Sequence, residues 1–426
     1  MLIGYLRNTI VGLLVVASLF TLNSCRRMET SNAQWREIVQ TIYPVDTVDA
    51  YHTWNLLEDR ALTIAVRLAD SDITHIQVLS GNPYEEDSVE ILAERPCKSE
   101  QQVNPSFKVP AVGQKLYVAA INSQGKYYVM PVGDKTKISI GGSSVIDKGV
   151  LHRPIYQTFT YLFEEDYPYP GDFDFNDVVF RISQQPVNDS TLKIQVTLAA
   201  VGATKQVGAA IRLPYISYAD VEKVTIDEGT RFDEDYTIDR YYIANDEVLS
   251  NGRDGSAVIN LFDDAHWSMS AKVSMGQVKR MYYNTRKYDV LNESSIVPAV
   301  SRSYNVHLKN GYNAYFLSLA DIDPFIIVSN NGFNVEVHTY QYKYDEALWD
   351  YTNGSSGEDD RVPWALLVPD ADFHYPVEGI ALGMYRNGLV SGAYSRYNHS
   401  FGQWGRNRNS STDWWLFDNA TPQLVF

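Results

Sequence analysis

Apolar and polar positions alternate along much of this chain. Leu62, Ile64, Val66 and Leu68 are interleaved with Thr63, Ala65 and Arg67. A period of two marks a strand with one buried face. Ile73 to Leu79 repeats the pattern weakly, and Gly81-Asn82-Pro83 ends it as a turn. Leu116 to Ile121 is a continuous apolar run. Asn122-Ser123-Gln124-Gly125 reads as a hairpin loop before Lys126 to Val132. Short strands at this spacing predict a small β-sandwich over residues 45–140. Gly141-Gly142-Ser143-Ser144 opens a linker over residues 141–155. Further on, Leu192, Ile194, Val196 and Leu198 face one way, and Lys193, Gln195 and Thr197 the other. Phe333, Val335 and Val337 alternate in the same way with Asn334, Glu336 and His338. Clean alternation predicts antiparallel sheets with one wet face. Trp364 to Pro369 reads as a short strand, and Val377 to Tyr397 as a helix broken at Gly392. The expected fold is mainly β. A small N-terminal β-sandwich precedes a large antiparallel, sandwich-like domain over residues 156–426 with a short C-terminal helix.

The first residues follow another logic. Arg7 precedes an apolar run from Ile10 to Phe20, shorter than a membrane-spanning helix. Small and polar residues follow, then a cysteine, which is the order of a cleaved export signal over residues 1–24. Leu22-Asn23-Ser24-Cys25 resembles the lipobox of bacterial lipoproteins. That resemblance implies a diacylglycerol anchor on Cys25, with the membrane as partner through the lipid. It also implies a cell-envelope, outer-membrane location and a tether over residues 25–44. Arg26-Arg27-Met28-Glu29 is not the acidic pattern that accompanies surface export, so the periplasmic or surface face stays open. The second cysteine, Cys97, would then have no disulfide partner and reads as a core or loop residue.

Charge narrows the partners. Lys and Arg number 36 against 52 Asp and Glu, a formal net charge of −16. This excludes the clustered bases that bind nucleic acid and argues against direct contact with an anionic bilayer. It favours cations. No HExxH, GxSxG or P-loop is present, so the chain reads as no enzyme.

Acid concentrates in one place, from Phe163 through Glu164-Glu165-Asp166 to Asp172-Phe173-Asp174-Phe175-Asn176-Asp177. In an extended strand Asp172, Asp174 and Asn176 would share one side, with Phe173 and Phe175 turned into the core. Crowded carboxylates are tolerable when solvated, or when a hard cation lies between them. Calcium takes six to eight oxygens of such types. The spacing is not that of an EF-hand: counted from Asp172, the sixth position is Asp177 rather than Gly and the twelfth is Ser183 rather than Glu. Asp172, Asp174, Asn176 and Asp177, with Glu165 and Asp166, are the candidate calcium ligands. Glu164 or a distant loop could complete the set.

The run Glu164 to Phe180, with its Asp-Phe-Asp-Phe-Asn-Asp-Val-Val core, resembles the opening signature of the LruC domain of bacterial envelope lipoproteins and adhesin-like proteins, many of them from Bacteroidota. Pro363-Trp364-Ala365-Leu366-Leu367-Val368-Pro369, Phe373-His374-Tyr375-Pro376-Val377-Glu378, Trp404 and Asp413-Trp414-Trp415 resemble its closing motifs. The resemblance implies a β-rich domain from about Tyr156 to Phe426, an envelope setting and a calcium-rich context. The expected role is adhesion or envelope scaffolding through a protein or glycan ligand. The alternatives are carbohydrate binding and, behind it, glycan hydrolysis. Trp364, Trp404, Trp414 and Trp415 are a possible ligand platform, although such rings more often close a core.

Overall fold

The alternating segments form strands, but the expected wet face is not found in Phe333–His338, where Glu336 and His338 are buried and His338 bonds Asp323 at 2.8 Å. In Thr191–Ala200, Leu192, Ile194, Val196 and Leu198 are completely buried while Gln195 is exposed. The computed structural model describes residues 45–426 except 46, 71, 114, 168–170, 228–231, 233–247, 271–280, 289–292, 310, 331–332 and 340–362. The export signal, Cys25 and the tether lie outside the described residues.

Two sheets build the larger unit. A six-stranded antiparallel sheet runs in the order Val221–Ile226, Val300–Leu308, Thr191–Ala200, Val178–Asn188, Gln157–Phe163, Ala365–Val368. A five-stranded sheet runs Leu249–Asn251, Ser256–Phe262, Val207–Ser217, Asp323–Asn330, Phe333–His338. Both send residues into one core: Tyr161, Phe180 and Val196 from the first, Ile211, Ile259 and Ile326 from the second. Non-directional burial of these faces holds the layers together.

The smaller unit has its own core of Ile64, Val66, Ile76, Val78, Val118 and Ile140. It lies between the sheet Ile91–Pro96, Ile73–Leu79, Tyr117–Asn122, Tyr127–Pro131 and a three-stranded sheet. In the latter, Thr63–Val66 runs parallel to Lys137–Ile140. The segment read as a linker covers the outer face of the first sheet. Ile146 bridges Val129, Val150 bridges Lys126, and Ile155 packs with Leu79 and Ala119.

Three further expectations change. Val45, Val48, Trp54 and Leu56, placed by pattern with the small sandwich, pack in the larger core. Trp54 meets Trp404 edge-on at 5.5 Å, and Arg408 pairs with Asp49 at 2.7 Å. No helix spans Val377 to Tyr397; a hairpin of Met384–Arg386 and Leu389–Ser391 occupies its middle. The short C-terminal helix is Phe401–Arg406, capped by the Ser400 side chain, which accepts from Gln403 N. Finally, the tryptophans form no platform. Trp364, Trp404, Trp414 and Trp415 are at most 5% exposed, and inside the core Phe401 meets Trp404 at a tilt and Trp414 edge-on. Indoles this deep offer no face to a ligand.

Candidate metal centre

The acidic segment is the connection between two paired strands. Gln157–Phe163 delivers Glu164 and Glu165, and Val178 resumes the ladder opposite Phe163. The loop ends are tied by its own carboxylates: Glu165 N donates to Asp177 Oδ2 at 2.6 Å and Phe175 N to Glu164 Oε1 at 2.6 Å. Residues 172–177 are not an extended strand. Phe173 and Phe175 have φ of 58° and 56°, in the left-handed region that costs a non-glycine residue roughly 1–2 kcal/mol. Burial of both rings, Phe173 against Trp364 and Phe175 against Phe401, opposes that cost.

The loop gathers Glu164, Asp172 and Asp174. One carboxylate oxygen from each lies within 4.8 Å of the others. Glu164 and Asp174 are buried, and Asp172 opens to solvent. Asp174 Oδ1 accepts from Asn176 N at 3.0 Å and Oδ2 from Gly379 N at 2.7 Å. Asn176 is fully buried. Its Nδ2 donates to Pro376 O at 3.1 Å, while its Oδ1 has no hydrogen-bond partner among the described residues. Gly202 leaves room for that oxygen: a Cβ there would clash with Asn176 Oδ1 and lie 2.9 Å from Glu378 Oε2. Glu378 accepts from Thr285 Oγ1 at 3.1 Å.

Burial pushes the Glu164, Asp174 and Asp177 carboxyls well above the carboxylate range, and neighbouring charge pushes further: that of Asp177 on Glu164, of Asp172 on Asp174 and of Glu165 on Asp177. Burial and then the charge of Asp172 raise Glu378 to about 7. No Lys or Arg pairs with Glu164, Asp172, Asp174, Asp177 or Glu378 among the described residues. The nearby Lys205 serves other acids. Its Nζ donates to Asp166 Oδ1 at 2.5 Å and to Glu165 O at 3.2 Å. The Glu165 carboxylate is held by Thr204 N, Thr204 Oγ1 and Lys205 N at 2.6 to 2.8 Å.

The six candidate ligands therefore divide. Asp172 and Asp174 face the shared space, Asn176 flanks it, and Asp177 ties the loop. Glu165 and Asp166 are committed to Thr204 and Lys205. Glu164 belongs at the centre, and Glu378 joins from 200 residues away. Its sequence signal is an acid beside a glycine, Glu378-Gly379, and nothing local connects that pair to the acidic loop.

A family model described as "Domain of unknown function (DUF4842)" matches residues 190–415. A crystal structure of a "Putative lipoprotein from Bacteroides ovatus" aligns with 84% of this chain and 99% of its own, at 14% identity and a TM-score of 0.51. At that identity the likeness concerns the fold. The major pilin SpaA of Corynebacterium diphtheriae aligns with 63% of this chain and 62% of its own at 8% identity, with a TM-score of 0.15 from which nothing is inferred. No curated protein matches the sequence. Among the described residues no helix is long and apolar enough to cross a membrane.

Proposed function

This chain belongs to the DUF4842 family, and we propose that it is a lipid-anchored envelope protein whose acidic loop is fixed by calcium and which binds or scaffolds rather than catalyses. One observation carries the calcium reading. Buried carboxylates converge without a basic partner, beside the unpartnered amide oxygen of Asn176. Several uncompensated buried charges would cost several kcal/mol each, so they stay protonated or take a cation. The donors are all hard oxygens on an irregular loop, which suits calcium better than zinc or the strict octahedron of magnesium. Glu164, Asp172 and Asp174 would hold the ion, with Asn176 Oδ1 and Glu378 on its flank. The ion would make rigid a loop that otherwise repels itself.

The lipobox at Cys25 supports the envelope setting, and the neighbour described as a lipoprotein agrees with it. So does the LruC resemblance, whose opening motif (Asp172 to Asn176) and closing motif (Phe373 to Glu378) meet in one site. Adhesion or scaffolding is the role that fits a rigid acidic loop on a β-sandwich.

A thermal melt of residues 26–426 in calcium and in EDTA tests this. At 100 times the dissociation constant, calcium should stabilise by about 2.7 kcal/mol. That raises the midpoint by roughly 3–5 °C for a protein of this size. Asp172→Ala with Asp174→Ala should abolish the rise. Gly202→Ala, which drives a methyl group into Asn176 Oδ1, should reduce it. An unchanged midpoint at millimolar calcium would sink the proposal.

A further inference from the structure

We infer that the face built from the hairpin Met384–Ser391 and the helix Phe401–Arg406 docks on an anionic phospholipid bilayer; this rests on the lipid-anchor reading. The net charge of −16 argues against such a surface for the chain as a whole, but the charge is unevenly spread. From Gly379 to Thr412 the chain holds four arginines and no Asp, Glu or Lys. The fold brings three of them together. The helix packs on the hairpin so closely that a Cβ at Gly402 would lie 2.6 Å from the carbonyl carbon of Met384. Arg406, at the helix end, lies 4.5 Å above the Tyr385 ring, and Arg386 is the next residue of that strand. Arg408 follows two residues after Arg406, 5.4 Å above the Tyr51 ring. Arg406 and Arg408 are exposed.

The anchored end of the chain arrives at the same face. Val45 forms a parallel bridge with Tyr385, and a Cβ at Gly405 would lie 3.3 Å from Val45 Cγ2. Asp49 N donates to Gly405 O at 3.0 Å. Cys25 to Pro44 connects this point to the lipid, at most about 70 Å even when fully extended. The tether therefore joins the protein at its arginine-rich face, and the anchor holds that face near the bilayer at high effective concentration. The side chains suit an interface. Leu389 stands opposite Arg386 at the hairpin tip and is 75% exposed, and Tyr51 is 73% exposed. An exposed leucine enters the acyl boundary, tyrosines sit at headgroup level, and guanidinium forks match phosphate. Asp49 pairs with Arg408 at 2.7 Å, so the three arginines keep an excess over it. Each arginine close to an anionic surface favours the docked state by about fivefold.

The test places the lipidated chain in vesicles with a bimane probe on Leu389→Cys, where the apolar dye takes the place of the leucine. Cys97 is buried, so the introduced thiol is the one that reacts. Vesicles of phosphatidylcholine alone are compared with equimolar phosphatidylcholine and phosphatidylglycerol, both carrying a headgroup quencher. The probe should be quenched in the mixed vesicles and not in phosphatidylcholine, while a probe on Lys135→Cys, exposed on the small unit, should stay unquenched in both. Arg406→Glu with Arg408→Glu should reduce the docked population about 25-fold or more. Salt at roughly 1 M, where the screening length is about 3 Å, should undock the parent chain in the same way, which keeps the test decisive if the double variant folds poorly. A Leu389 probe left in water in mixed vesicles would overturn the docking and leave the anchor reading standing. Equal quenching in both vesicles would show that the arginines select nothing and overturn it too. Quenching at Lys135 rather than Leu389 would put another face on the bilayer. A mass spectrum without diacylglycerol on Cys25 would end the anchor reading and this inference together.

Discussion

Two buried clusters touch in this molecule and could hardly differ more in chemistry. One is aromatic: Trp54, Phe401, Trp404 and Trp414, with ring centroids 5.1 to 6.0 Å apart. The other is the acidic centre of Glu164, Asp174 and Asn176. Both are almost sealed from water. Among the described residues the indole N–H groups of Trp54 and Trp414 have no partners, a cost of about 1–3 kcal/mol each that ring packing outweighs. The acidic centre leaves like charges facing each other, which the N–H groups of Phe175, Asn176 and Gly379 offset only in part, with no Lys or Arg paired to them among the described residues. Burial alone does not mark a functional site; burial that leaves charge uncompensated does. Phe175 joins the two, since its backbone lies in the acidic loop and its ring packs on Phe401 at 6.2 Å.

Removing the aromatic side of this contrast should give the largest effect. Trp404→Ala deletes a ring at the centre of the cluster and should cost about 3–5 kcal/mol in denaturant unfolding. The loss should be alike in calcium and in EDTA, because the indole compensates no charge. A loss confined to calcium would mean that the two clusters are one cooperative unit, and the contrast would fall.

The acidic side should appear in pH dependence. Glu164, Asp174 and Asp177 have folded-state pKa values well above those of unfolded carboxyls, and Glu378 is raised to about 7. Between the unfolded and folded values the native chain holds protons that the unfolded chain has released. Stability in EDTA therefore falls as pH rises from 5 to 8, by about 1.4 kcal/mol for each unit of pKa displacement. Calcium should flatten this profile by replacing the protons. Glu90, raised to about 8 by burial, and Glu94, raised to about 7, are remote from the loop in sequence and should leave a residual slope in calcium that Glu90→Gln reduces. Equal slopes in calcium and EDTA would show that the acidic centre holds no ion.

How much of this was legible beforehand follows from the range of each interaction. Strands such as Thr191–Ala200 are visible because their faces are set by residues two apart. Asp172, Asp174 and Asn176 stand out only as acid and amide crowded into a few residues; their reading as one side of a strand fails, because Phe173 and Phe175 are left-handed and aromatic residues carry no local preference for positive φ. Glu378 reaches the centre only through tertiary contact, and no local pattern foretells it. The depth of Trp404 is equally invisible, since an indole suits a core or a sugar. The misread helix has a specific cause. Val377, Ile380, Ala381 and Met384 fall at helical spacing, while the competing signal, Asn387-Gly388, sits between strands of only three residues.

That turn gives the smallest effect. Asn387 and Gly388 have φ of 50° and 83°, so both central residues of the two-residue hairpin loop are left-handed, as the twist of paired strands favours. A Cβ at Gly388 would meet no atom within 4 Å. Gly388→Ala therefore costs only the strain of a Cβ in the left-handed region, about 1–2 kcal/mol in denaturant unfolding. The calcium-dependent rise in melting midpoint should survive it unchanged. Gly202→Ala adds the same methyl group where Asn176 Oδ1 and Glu378 Oε2 already crowd, so that rise should shrink. If both variants reduced it equally, the effect would be one of general loosening, and Gly202 would lose its place as the residue that keeps room for an oxygen aimed at an ion.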